Sequence, residues 1–160
     1  MSVEYMKSIA ERYQRLGHAP YRWFKAENPP AFQPLAKPLA AARIGMLSTS
    51  GAYALGQVAY HYKDDASIRR IPAATADGDL RFSHLTENYL ADGRRDPGCL
   101  FPIRALGALA SEGFIGQVAD EVFSCMGAIY SQRRVRDELA PAVLSAFRAQ
   151  RVDAALLVAM

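Results

Sequence analysis

The chain has 160 residues, 51% of them hydrophobic and 22% charged, and 19 lysines and arginines against 16 acidic residues leave a net charge of +3. That length suits one domain, or one domain and part of another, with ample apolar material for a core. So mild and scattered a charge argues against a nucleic-acid partner, and no apolar stretch approaches the ~20 residues that cross a bilayer.

In chain order, Val3, Met6, Ile9, Tyr13 and Leu16 recur at helical spacing, and Gly17 stands where a C-terminal cap belongs. This charged, amphipathic start is unlike a signal peptide. From Pro20 to Pro38 the chain carries Tyr21, Trp23, Phe24 and Phe32 among repeated prolines, which predicts an extended arm. Ala42 to Thr49 reads as the first core strand, running into the small-residue turn Ser48-Thr49-Ser50-Gly51. Residues 52–79 read as one long functional loop. Short strands are expected at Leu80 to Ser83 and Cys99 to Phe101, and Pro102 opens a helix that closes at Gly113. Phe114 to Phe123 is a further strand candidate, ending in Ser124-Cys125-Met126-Gly127. The longest helix is predicted from about Ser131 to Gln150, with a buried stripe of Val135, Leu139, Val143 and Phe147 and a kink at Pro141. The continuous apolar run from Ala154 to Ala159 reads as a buried central strand of a parallel sheet.

Strand and helix alternate through the second half. The expected fold class is therefore α/β: an open, mostly parallel sheet with crossover helices in a Rossmann-like three-layer arrangement. The domain reading is an N-terminal helix and arm over 1–38 and an α/β domain over 39–160. Two cysteines without CxxC spacing fit a reducing compartment, so the expected address is the cytoplasm.

Ligands of open α/β sheets bind beyond the carboxyl ends of the strands. Three such ends carry suitable groups here. Ser48, Thr49, Ser50 and Gly51 offer hydroxyls and turn amides for a carboxylate or phosphate, and equally suit a solvated turn. His84, after Ser83, suits a general base, an anion-orienting group or a structural hydrogen-bonder. Ser124, Cys125 and Gly127 form the third end. The Cys125 thiol serves as a nucleophile only if a nearby cation lowers its pKa, and is otherwise a small buried hydrophobe. Cys99 reads as core. His61, Asp64 and His84 match no metal-ligand spacing. No triad, carboxylate dyad or dinucleotide fingerprint is present.

Four segments carry a resemblance: PLAKPLAAARIGMLSTSG (34–51), IRRIPAATADGDLRFSH (68–84), CLFPIRALGALASEGFIGQVADEVFSCMG (99–127) and RVDAALLVAM (151–160). In this order they resemble the selenoprotein B family of glycine/sarcosine/betaine reductase and the related D-proline reductase subunit. The resemblance implies an oxidoreductase in which the last strand leads directly into a redox-active selenocysteine or cysteine. The expectation is that this residue follows Met160, where a UGA codon has been read as stop, so the 160-residue chain contains no catalytic residue itself. The resemblance further implies selenolate or thiolate attack on an amine substrate activated by a pyruvoyl group on a partner subunit, with thioredoxin-like redox partners. The neighbouring strand ends, Ser48 to Gly51, His84 and Ser124 to Gly127, would then handle the substrate's charge and protons. Leu85-Thr86-Glu87-Asn88-Tyr89 departs from the histidine- and aspartate-rich stretch expected after the Ser-His pair, which leaves the substrate open.

A second reading is a small ligand-binding or scaffolding α/β domain without catalytic activity. Under it the final strand must lie at a sheet edge and need no cover, which the apolar run from Ala154 to Met160 speaks against; self-association through that edge is expected of the truncated chain instead.

Overall fold

The computed structural model describes residues 4–20, 23–86, 88 and 90–160. Val3 of the predicted helical stripe, Tyr21 of the arm, and Glu87 and Tyr89 of the departing segment lie outside the described residues. The chain divides into two compact units at the junction of Phe32 and Gln33.

In the first unit, helix α1 spans Tyr5–Arg15 and buries none of its residues. Its end is a Schellman motif: Gly17 N donates to Gln14 O at 3.0 Å and His18 N to Tyr13 O at 2.9 Å, with Gly17 at φ 77°. The Trp23 ring meets Tyr5 edge-on, 5.6 Å between centroids.

In the second unit the sheet is built around β1, Arg43–Ser48. On one side β1 pairs in parallel with β7, Ala154–Val158, from Ile44↔Ala154 to Ser48↔Val158. On the other side lies a broken strand, β5 (Gln117–Val118) followed by β6 (Glu121–Ser124), both parallel to β1. β3, Arg69–Pro72, adds an antiparallel edge to β6. Pro72 is tolerated there because an edge strand leaves one row of N–H groups unused. β2 (Ala52–Ala54) and β4 (Leu80–Phe82) form a separate antiparallel pair. The architecture is thus mixed α/β with a mostly parallel sheet.

Alternation along β1 sends side chains to two cores. Ile44 and Met46 pack in a cluster with Ile71, Phe101, Val122, and Ile103 and Leu106 of helix α3 (Ile103–Ser111). Leu47 packs against the other cluster, which holds Phe123 of β6 with Val143 and Phe147. Between these parts lie the short helix α2, Leu90–Arg95, and a 3-10 turn at Pro97–Cys99.

The long helix runs from α4 (Gln132–Arg134) through a π turn at Val135–Leu139 into α5 (Ala140–Ala149). Pro141 explains the π turn: it has no N–H to give and its ring crowds the carbonyl four residues back, so a widened turn precedes it. The stripe is buried at Leu139, Val143 and Phe147, whereas Val135 is exposed.

Four expectations need correction. Cys99 to Phe101 is not a strand: Asp96 Oδ1 accepts from Gly98 N at 3.1 Å, and Asp96-Pro97-Gly98 makes a tight turn that leaves Cys99 exposed, not in the core. Residues 52–79 are not one loop, since they contain β2 and β3. The Phe114 to Phe123 strand is interrupted at Ala119 and Asp120. β7 is not central: among the described residues it has a neighbour on one side only, and Leu157 is 69% exposed.

Candidate functional site

The three strand ends singled out by the sequence meet in space. Because β1, β6 and β7 are mutually parallel, all three carboxyl ends lie at one end of the sheet. Cys125 N donates to Ser48 O at 2.9 Å, Gly51 N donates to Cys125 O at 3.0 Å, and Ser83 N donates to Gly51 O at 3.0 Å. These bonds tie the end of β1 to the ends of β6 and β4. Gly51 is required at its corner, since its φ is 67° and a Cβ would lie 2.1 Å from Ser83 O.

The hydroxyl groups divide by burial. Ser48, Ser50 and Ser124 are fully buried. Ser48 Oγ lies 2.8 Å from both Leu100 O and Ser50 Oγ. Its single proton goes to the carbonyl, which can only accept, so the Ser50 hydroxyl donates to Ser48. Ser50 N also donates to Ser48 Oγ, at 3.2 Å. The two serines therefore fix the turn from within. Thr49, between them, is only partly buried and faces β7. Its N–H donates to Val158 O and its Oγ1 accepts from Met160 N, both at 3.0 Å. The chain leaving β7 is thereby held against the end of β1.

His84 is nearly buried, and its Nδ1 accepts from Thr86 N at 3.1 Å, with Thr86 Oγ1 at 2.7 Å. A backbone N–H can only donate, so the proton of the neutral imidazole resides on Nε2. Nε2 faces Gly127: a Cβ at that position would lie 3.1 Å from Nε2, 3.0 Å from Thr49 O and 3.3 Å from Thr49 Cβ. Met160, Thr49, Gly127 and His84 thus stand in a row.

Cys125 enters this cluster through its backbone, while its side chain sits in the Phe123–Phe147 core. Burial pushes the thiol up to about 11, so it is protonated at neutral pH. Asp64 is engaged elsewhere: its Oδ1 accepts from Tyr130 N at 2.7 Å and Ser131 N at 3.1 Å, ahead of α4. His61 Nδ1 lies 3.1 Å from Lys63 O. Among the described residues no group of three metal-ligating side chains forms.

Tyr60 also reaches this cluster, although no sequence signal singles it out. It is buried, its hydroxyl donates to Ser124 O at 2.6 Å and accepts from Arg69 N at 3.1 Å, and the Arg69 guanidinium lies 4.1 Å over its ring. Burial holds the phenol protonated well above the ordinary tyrosine range, against the opposing pull of its Ser124 hydrogen bond and of Arg69. Tyr60 is one of three tyrosines in a polar stretch, and no spacing separates it from Tyr53 and Tyr62.

No protein-family model matches the chain. No solved structure matches it. Among curated proteins the chain is similar to D-proline reductase subunit gamma of Acetoanaerobium sticklandii, with 29% identity over 131 residues. The match covers 82% of this chain and 54% of the relative, so the chain spans about half the length of the curated relative it matches. Among the described residues no helix is long and apolar enough to cross a membrane.

Proposed function

We propose that the chain is the front part of a reductase subunit, related to D-proline reductase subunit gamma, whose substrate site lies at the joined ends of β1, β4, β6 and β7. The sequence similarity supports the reductase class. The observation that carries the site is the hydrogen bond from Met160 N to Thr49 Oγ1, which delivers the chain beyond β7 to the row formed by Thr49, Gly127 and His84.

In this reading a selenocysteine or cysteine directly after Met160 supplies a soft, anionic nucleophile for reductive cleavage of an activated carbon–nitrogen bond. The residues around it fit such a group, because Thr49 and His84 offer neutral donors while the Cys125 thiol is turned into a core. Thr49 keeps its own hydroxyl proton after accepting from Met160, and His84 holds a proton on Nε2. Both can stabilise negative charge without adding a cation that would compete as a fixed counter-ion. The backbone of Ser48, Ser50, Gly51, Ser124, Cys125 and Gly127 forms the wall of the site, with the buried hydroxyls of Ser48 and Ser50 holding its first turn. A pyruvoyl-bearing partner that activates the amine and a thioredoxin-like donor that restores the nucleophile complete the proposal, and a cytoplasmic location belongs with it. So does the Rossmann-like reading of the sheet, which is supported by α3 and α5 packing into cores that use alternate side chains of β1.

The coding sequence after the Met160 codon tests this reading. UGA or a cysteine codon, followed by an open frame that begins with a Pro-x-Cys-like turn and continues as α/β sequence, is the expected result. A UAA or UAG stop, or another residue in that position, removes the nucleophile and favours a ligand-binding domain.

A further inference from the structure

β7 presents apolar side chains to both faces of the sheet and leaves the middle of each uncovered. Its register with β1 sets Leu157 beside Leu47 and Ala155 beside Gly45. Leu47 packs against the cluster of Phe123 and Phe147, and a Cβ on Gly45 would lie 2.6 Å from the Phe147 ring. Ala155 and Leu157 therefore share the face on which α5 lies. Leu156 stands beside Met46, on the face of α3. Leu157 is 69% exposed and Leu156 41%. Apolar residues on both faces are the pattern of a parallel strand covered from both sides, not of an edge.

The backbone agrees. Val158 O accepts from Thr49 N and Met160 N donates to Thr49 Oγ1, so residues 158 and 160 turn their polar groups toward β1. By the alternation of a strand, Ala155 and Leu157 turn both N–H and C=O outward, where no strand stands among the described residues. An open row of this kind is a template for another strand.

The crossover already made fixes where the next one goes. From β6 the chain passes through α5 to β7 on the far side of β1, and Val143, Ala146 and Phe147 place α5 in the cluster with Phe123 and Leu47. A second crossover taken onward in the same direction, with the same right hand, brings its helix to that same face. Leu157 waits there. A second copy pairing β7 with β7 across a twofold axis fits less well: it runs antiparallel and leaves both Leu157 side chains in the gap between two α5 helices. A parallel crossover needs about a dozen residues or more. The chain spans 54% of the relative it matches, so a subunit of that length has ample chain for a crossover and a strand.

We infer that the segment following Met160 adds a parallel strand to the outer edge of β7, joined by a crossover helix that packs on Leu157 beside α5. The inference rests on the reading of the chain as the front part of a longer subunit.

The test compares the 160-residue chain with the longer product of its coding sequence, a cysteine codon replacing any UGA after Met160. Each is measured at a dilution where it sediments as a monomer. Amide hydrogen exchange at Ala155 and Leu157 is expected to slow by about a hundredfold or more in the longer chain, as pairing inside a stable sheet requires. Leu157→Lys, expected to leave the 160-residue fold intact, should lower the thermal midpoint of the longer chain by about 5 °C. A coding sequence with no open frame after Met160 overturns the longer-subunit reading and this inference with it. A longer monomer in which both amides exchange as fast as before, or in which Leu157→Lys costs nothing, overturns the sheet extension alone. Protection that appears only on dimerisation overturns it too, and gives the edge to a second copy.

Discussion

Thr49, Gly127 and His84 can lie against one another only because position 127 has no Cβ. Gly127→Ala would put a methyl group 3.0 Å from Thr49 O and 3.1 Å from His84 Nε2, so the histidine or the strand end must move. The expected cost is about 1–3 kcal/mol, typical of overpacking, read from denaturant unfolding. The His84 ring proton should appear on Nε2 in nitrogen-15 spectra of the unaltered chain, as the Thr86 N–H bond to Nδ1 demands. Cys125 sets a pH dependence of its own. Burial raises its pKa from 9.0 to about 11 in the folded chain, so the folded state holds that proton more tightly than the unfolded state does. Its contribution to stability is therefore fully present below about pH 9 and is lost as pH rises towards 11. Cys125→Ala should flatten the stability profile in that window. An unchanged profile would show that the thiol is not desolvated as the packing requires. At neutral pH a thiol reagent should label the exposed Cys99 and spare Cys125.

At the scale of elements, one device secures the start of the long helix and another the strand-end site. Ser131 caps α4 through Arg134 N, and Asp64 holds the turn ahead of it, accepting from Tyr130 N and Ser131 N through its side chain and from Arg134 through its backbone carbonyl. Asp64→Ala should cost about 1–2 kcal/mol, the range of lost hydrogen bonds to backbone N–H groups, with additional strain because Asp64 itself stands at φ 52°. Asp64→Asn keeps an acceptor and tolerates that conformation, so thermal melts should rank it between the two. β7 is the second device and a liability. Its outer edge and the exposed Leu156 and Leu157 invite pairing with another strand. The isolated chain is expected to self-associate in sedimentation, and Leu157→Lys is expected to reduce association while leaving the fold intact. Sedimentation as a strict monomer before the substitution would argue against this edge as a contact.

The same elements mark what the sequence could tell. Period-3.6 stripes disclosed α3 and the helix through Val143 and Phe147, and Gly17 disclosed the end of α1, because each rests on local chemistry. The three strand ends were legible as small, hydroxyl-rich turns after apolar runs. That the ends of β1 and β6 converge followed from a parallel sheet, which the alternation of strands and helices supplied; the end of β4, from the separate antiparallel pair, did not follow from it. What failed depended on partners distant in sequence. An apolar run such as Ala154 to Val158 carries no mark of whether it lies at the centre or the edge of a sheet, and Cys99 to Phe101 was apolar enough to hide the turn imposed by Asp96, Pro97 and Gly98. Tyr60 became visible only through Ser124 O, 64 residues away.

At the scale of the whole molecule, the sheet separates two chemically different ends. The end where β1, β6 and β7 finish is built from buried hydroxyls, a histidine and a glycine corner, its strand ends tied by backbone hydrogen bonds. The end where β1, β5 and β7 start is charged, open and lined by arginines.

The central claim is that the chain beyond β7 delivers a nucleophile to Thr49 and His84. It is tested most directly by appending one cysteine and a short flexible tail after Met160, in a Cys99→Ser background, and measuring the thiolate fraction at neutral pH by ultraviolet absorbance. Each pKa unit of lowering raises that fraction by about tenfold. The account predicts a markedly larger fraction in the folded chain than in denaturant, falling back in Thr49→Val and in His84→Ala. A thiol that titrates alike in the folded and unfolded chain, indifferent to both substitutions, would contradict it.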